Sequence, residues 1–214
     1  MGFLRDIGTS LIASALFLVL LWAFSKTARR LIRGLAAHLL HLDVEEVFAN
    51  SRDAAPDIKR ELGRAREVSV LTGRGSELQR DLFEDLFLRC RARRSRCRIL
   101  LPKLDVLAGE PDWITDRERE IQVFDSAFGA DLLRRQIAAT YDYLAPLTVE
   151  GHLEARGYGV PHIGRIIATE RVVYLTPYSA DRHGRESPVI KYRRGETYDV
   201  LLRLIEKLWV GGPA

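Results

Sequence analysis

Within GRIIATERVVYLTPY, Gly164 to Tyr178, two runs rich in Ile and Val flank Thr169, Glu170 and Arg171. Short β-branched runs separated by a polar triplet read as the two strands of a hairpin. A hairpin of this kind needs a sheet to join. The preceding chain supplies candidates, because strand-like and helix-like segments alternate through it. Pro56, behind a Ser/Asp-rich run, predicts a helix start with Asp57 in its first turn and Ile58, Leu62 and Ala65 on the buried stripe. Val68–Leu71 reads as a strand, followed by a Gly73-Arg74-Gly75-Ser76 turn and a helix with Leu78, Leu82, Phe83, Leu86 and Phe87 inward. Arg96–Leu101 is a second strand, ended by Pro102. Pro111–Trp113 reads as a loop, DRERE (Asp116–Glu120) as the start of a polar helix, and residues from about Asp131 to Tyr143 as a further helix. HLEARGYG, His152 to Gly159, adds a strand before the hairpin. SPVIKYRRGETYDVLLRLIEKLWVGG closes the chain as a strand, a turn at Gly195 and an amphipathic helix ending near Gly211. This order predicts an α/β fold with a mixed sheet flanked by helices.

Of the 214 residues, 47% are hydrophobic, enough for one domain with a true core and something besides. The net charge is only +4, so a sequence pI near 9.2 is a mild bias and no nucleic-acid signature. The Arg-rich RCRARRSRCR, Arg89 to Arg98, reads as a solvated helix end and turn or as a contact with lipid headgroups or nucleic acid; aromatics do not interleave with it, which disfavours single-strand binding. Nucleic acid is therefore not an expected partner. Cys90 and Cys97 lack metal-ligand spacing and read as reduced thiols, and no metal or cofactor is expected.

Ile7 to Ser25 runs for 19 residues without a charge, roughly 28 Å as a helix, about the thickness of a bilayer's hydrocarbon. Trp22 lies near one end, and Lys26, Arg29, Arg30 and Arg33 follow with no acid before Asp43. The charge asymmetry predicts a signal-anchor in residues 1–25, single-pass in the inner membrane, with the C-terminal part cytoplasmic. A cleaved signal peptide is disfavoured by the nearly neutral N-terminus and the missing small-residue cleavage site. Residues 26–49 read as an amphipathic juxtamembrane helix and residues 50–214 as the α/β domain. Ile32, Leu35, Leu39 and Leu42 form a two-heptad seam, either a self-association stripe or a face packed on the domain. His38 and His41 lack a third ligand and do not read as a metal site.

From about Val47 to Trp209 the chain resembles one half of a phospholipase D-like fold, similar to the divergent single-copy domains that bacteria attach to other modules. The resembling pieces are NSRDAAPDIKRELGRAREVSVLTGRGSEL, CRILLPKLD, GRIIATERVVYLTPY, RESPVIKYRRG and LLRLIEKLW. Aligned on the family's HxKxxxxD motif, Arg165 takes the lysine place and Glu170 the aspartate place, while Ile163 falls on the histidine place and His162 is its neighbour. On a strand, neighbours point to opposite faces, so His162 does not substitute without a bulge. The family's Gly-Ser is absent and TPYS stands there. The resemblance implies that the two half-domains of an enzyme each supply a histidine, one as nucleophile and one as acid. Isoleucine can do neither, whereas arginine still binds phosphate, bidentately.

The candidate ligand-binding residues are thus Arg165, Glu170 and Tyr178 from the hairpin, Arg182 and Arg185 from the loop SADRHGRESP, and Gly73, Arg74, Gly75 and Ser76 from the glycine turn, a possible phosphate seat at a helix N-terminus. Three functions fit. The first is a catalytically degenerate domain that senses a phosphorylated small molecule or nucleotide, in the layout of oligomeric membrane effectors of bacterial defence. The second is a homodimeric phosphodiesterase, phospholipase or nuclease, using His162 or His183. The third is a non-catalytic oligomerisation scaffold. All three expect a homo-oligomer.

Overall fold

The computed structural model describes residues 43–105, 112–150, 152–161 and 164–211. In chain order these form β1 (Val44–Phe48), α1 (Ser51–Arg64), β2 (Glu67–Leu71), α2 (Asp81–Arg91), β3 (Arg96–Pro102), α3 (Trp113–Phe124), α4 (Leu132–Glu150), β4 (Leu153–Tyr158), β5 (Gly164–Thr169), β6 (Val172–Pro177), β7 (Val189–Arg193) and α5 (Glu196–Gly211). The seven strands make one sheet in the order β1-β7-β6-β5-β2-β3-β4. β2, β3 and β4 are parallel, and β5, β6, β7 and β1 continue antiparallel from β2. The predicted hairpin is the β5–β6 pair, with Arg165 opposite Thr176 and the turn at Glu170 and Arg171.

Helices cover both faces. On one, Ile58 and Leu62 of α1, Phe83, Leu86 and Phe87 of α2 and Leu144 of α4 pack on Val70, Ile99, Ile167 and Tyr174. On the other, Tyr198, Leu201, Ile205 and Trp209 of α5 pack on Leu71, Leu100, Ile166 and Val173. The central strands are therefore buried on both sides, and all six residues of β5 are buried. A separate cluster of Ile114, Ile121, Phe128, Leu133 and Ile137 joins α3 to α4. Cys90 and Cys97 are free and buried, and burial raises both thiol pKa values, that of Cys90 to about 11.

Several expectations need correction. Among the described residues the fold is mixed α/β, and none of their helices is long and apolar enough to be the expected transmembrane element. The span 7–25 and the seam from Ile32 to Leu42 lie outside the described residues. Residues 44–48, expected within the juxtamembrane helix, form β1 and pair with β7. The chain is held there by Asp43, whose backbone oxygen accepts from Arg193 N at 3.0 Å and whose Oδ2 accepts from Thr197 N at 2.8 Å in the first turn of α5. α1 begins at Ser51 rather than Pro56, because Asn50 Oδ1 caps it by accepting from Arg52 N at 2.9 Å and Asp53 N at 3.0 Å. Pro56 lies inside the helix, and Asp57, expected in the first turn, lies beyond it and is buried, while Asp53 is the first-turn acid.

Candidate functional site

The chain leaves β2 through Thr72 and the glycine turn, enters β5 at Gly164, leaves β6 at Pro177 and starts α1 at Ser51. These four points meet at one end of the sheet around a cavity of about 140 Å³, on whose wall stands Arg165. The side chain of Arg165 is forced inward because its neighbours on β5 are buried on both faces. Its Nη2 donates to Ser51 Oγ at 3.0 Å and to Thr176 Oγ1 at 3.2 Å. Its Nη1 lies 3.7 Å from Glu77 Oε1, which also accepts from Thr72 Oγ1 at 2.7 Å. Its Nε is buried and has no hydrogen-bond partner among the described residues.

The lining includes five arginines, Arg74, Arg80, Arg117, Arg165 and Arg185, and a single acid, Glu77. Such an excess in a partly enclosed space favours an anion. Four of these arginines have polar partners, and two of them, Arg117 and Arg185, pair with Glu120 at 2.6 Å and Glu186 at 3.4 Å outside the lining. Arg74 Nη1 donates to Gln136 Oε1 at 3.2 Å, Arg117 Nη2 to the Ser179 carbonyl at 2.9 Å, and Arg165 as described. Tyr178 also lines the cavity; burial, then Glu77, raise its pKa, while Arg165 and a hydrogen bond with Thr72 pull against them, and the net shift is upward. It therefore remains a neutral phenol at physiological pH. His183 Nε2 lies 2.9 Å from Asp125 Oδ2, and Phe124 meets the imidazole edge-on at 5.2 Å. The loop carrying His183 is tied to α1, since Ser51 N donates to the Arg185 carbonyl and Ser51 Oγ to that of Gly184.

The structure thus brings together Arg165, Tyr178, His183, Arg185, Gly73, Arg74 and Ser76. It does not bring in Glu170, which sits at the far end of β5, five residues and roughly 17 Å from Arg165. There Glu170 accepts from Arg66 N at 3.2 Å and Glu67 N at 3.4 Å, fastening the start of β2. Arg182 is not among the lining residues; it is exposed and paired with Asp181, whose carboxyl it and Ser179 hold well below the usual range. His162 and Ile163 lie outside the described residues. The glycine turn is not a helix N-terminus either: α2 starts only at Asp81, with Arg80 at its N-cap position, and residues 76–79 are turn. Gly75 faces the core instead, at φ +76°.

Gly75 yields a firm expectation. A Cβ there would stand 2.6 Å from Thr140 Cγ2 and 2.9 Å from Leu101 Cδ2. Thr140 cannot turn away freely, because its single hydroxyl proton is placed between the Arg74 and Gln136 carbonyls, 2.9 and 3.0 Å from Oγ1. Gly75→Ala should therefore destabilise by about 2 kcal/mol, through the left-handed backbone and the overlap together. A urea midpoint unchanged from wild type would contradict this.

Sequence reasoning missed Ser51, Glu77, Arg80, Trp113, Arg117 and Asp125. Ser51 and Arg117 were visible only as parts of a helix start and a polar helix, and Asp125 carried no signal, since α3 alone brings it to His183.

No protein-family model matches the sequence, and no curated protein matches it. Solved structures do. One is TrmBL2, an archaeal chromatin protein described as having a novel mode of DNA binding, at TM-score 0.48 and 16% identity. The match covers 99% of this chain and 66% of that one, so the chain spans just under two thirds of its length. Another is Nuc, a phospholipase D family member from Salmonella typhimurium, at TM-score 0.47 and 11% identity, over 78% of this chain and 95% of that one.

Proposed function

We propose that the cavity beside Arg165 binds the phosphoryl group of a small phosphorylated ligand, and that the domain is a sensor of that ligand. The observation that carries this reading is the convergence of five arginines against one acid around a fixed, buried guanidinium whose Nε is still unpartnered among the described residues. Phosphate oxygens accept two parallel bonds from such a group and are stabilised by the surrounding charge. Size narrows the ligand. Pockets that swallow a drug-sized molecule run from about 300 to 1,000 Å³. At about 140 Å³ this cavity admits a phosphoryl group and little more. A nucleotide would then be held by its phosphate, with sugar and base outside.

Calorimetric titration tests the reading with inorganic phosphate, a simple phosphomonoester, a nucleotide and the matching nucleoside. The three phosphorylated probes should bind, more weakly as salt is raised, and the nucleoside should not. A nucleoside that binds as well as its nucleotide would remove the proposal.

The contact of His183 with Asp125 favours a second reading, a phosphodiesterase in which His183 acts on a phosphodiester held by the arginines. A carboxylate on one ring nitrogen fixes the ring's orientation and leaves the other nitrogen for chemistry. Hydrolysis of a generic phosphodiester, lost in His183→Ala with phosphate binding retained, would select this reading over the sensor.

A further inference from the structure

β4 closes one end of the sheet, and among the described residues no strand pairs with its outer side. Which backbone groups face outward follows from two bonds. His152 O accepts from Cys97 N at 2.8 Å, and Tyr158 O accepts from Lys103 N at 2.9 Å. The register with β3 is unbroken between them. The N–H and C=O of one strand residue point the same way, and direction alternates along the strand. Residues 154, 156 and 158 therefore face β3, and Leu153, Ala155 and Gly157 present their backbone groups outward. An open row of this kind is a template for another strand.

The side chains select the partner. Glu154 and Arg156 share the face that carries α5. Glu154 is exposed, with no ion pair among the described residues. Arg156 is half-buried, its Nη1 donating to the Trp209 carbonyl at 3.0 Å and its guanidinium lying over the Trp209 ring. If a second copy of β4 is laid antiparallel along the first, outward-facing residues must meet outward-facing residues. Three registers allow this near the strand centre. One sets Glu154 opposite Glu154 of the other copy, and another sets Arg156 opposite Arg156. Like charges directly opposite are unfavourable. The third centres on Ala155. It pairs Ala155 with itself and Leu153 with Gly157, through hydrogen-bonded positions. It also sets each Glu154 opposite the other copy's Arg156 at a non-hydrogen-bonded position, where side chains approach most closely. On the opposite face, a groove of about 500 Å³ between α4 and β4, lined by Tyr141, Leu144, Ala145 and Thr148, leaves room beside the new strand.

We infer that this chain forms a two-fold homodimer by antiparallel pairing of β4, in the register centred on Ala155. The interface is isologous, with two reciprocal Glu154–Arg156 pairs, and it joins the two sheets into one of fourteen strands (twice the seven of one chain).

The test uses the full chain carrying Ala155→Cys, oxidised mildly and run on a denaturing gel without reductant. Opposed Cα atoms at a hydrogen-bonded pair lie about 5.5 Å apart, within disulfide reach, and Cys90 and Cys97 are buried. A covalent dimer is expected. Adding Glu154→Arg puts arginine against arginine twice and should weaken association roughly tenfold. Adding Arg156→Glu as well restores opposite charges and should restore the crosslink, which shows that the single variant did not fail by misfolding. The absence of a crosslink in Ala155→Cys, or a crosslink indifferent to Glu154→Arg, overturns the inference. Pairing through any other surface leaves the two introduced thiols apart and gives the first of these outcomes.

Discussion

Arg165→Ala should weaken binding of inorganic phosphate by about a hundredfold or more, while the domain stays folded. The magnitude follows from losing two charge-assisted hydrogen bonds at about 1.5 kcal/mol or more each, where 1.4 kcal/mol is a factor of ten. The fold should persist because the neighbours of Arg165 keep other partners. Ser51 Oγ still donates to the Gly184 carbonyl, and Glu77 still accepts from Thr72. Arg165→Lys separates charge from geometry. It keeps the positive charge but loses the planar fork and the reach to both Ser51 and Thr176, so its affinity should fall between the two. Titration of wild type and both variants, with melting curves alongside, reads this directly. Equal affinity in wild type and Arg165→Ala would place the anion elsewhere.

The largest expected loss of stability lies on the same face of the sheet, nearer β1. Lys191 of β7 is only 4% exposed. Its Nζ lies 2.8 Å from Glu45 Oε1 and 3.1 Å from Asp57 Oδ2, and 5.8 Å from the centre of the Tyr174 ring. Asp57 is buried too and accepts from Tyr174 OH at 2.6 Å. Burial, then Glu61 and Glu45, push the Tyr174 phenol well above its ordinary pKa, so it remains a donor to that carboxylate. Lys191→Met removes the cation and leaves Asp57 with Tyr174 and Arg60. Breaking a buried pair in this way costs about 3 kcal/mol, or roughly 6–12 °C in Tm for a domain of this size. Neutralising the acid as well, in Lys191→Met with Asp57→Asn, should recover part of the loss, because the cost comes from stranding a charge. A single variant within about 0.5 kcal/mol of wild type, a surface-like effect, would mean that water already solvates the group.

Where local pattern decided structure, the sequence was readable. The β5–β6 hairpin followed from two β-branched runs, and the inward face of α2 from Phe83, Leu86 and Phe87 at helical spacing. Arg165 came from the family resemblance, as the residue on the lysine place of HxKxxxxD. β1 was not legible, because VEEVF becomes a strand only through its pairing with residues more than a hundred positions later. Glu170 was misplaced for a geometric reason. Motif spacing counts residues, and five residues along an extended strand separate two side chains by most of the sheet's length. His183 entered as a residue of a charged loop; its partner Asp125 came from a helix that no spacing rule links to it. The arginines at 74 and 80 lie in the connection between β2 and α2, Arg117 lies on α3 and Arg185 in the loop before β7, so only tertiary folding reveals that they share one space.

β2 and β4 both run parallel to β3, and the arginine cavity opens past the end of β2. This shared direction has a consequence for any pair joined along β4. Antiparallel seams reverse one copy, so the two cavities come to rest at opposite rims of a single long platform. A catalytic centre divided between two chains, half from each, cannot assemble across such a seam. Each cavity would meet its ligand alone, and the platform would present two anion receptors facing away from one another.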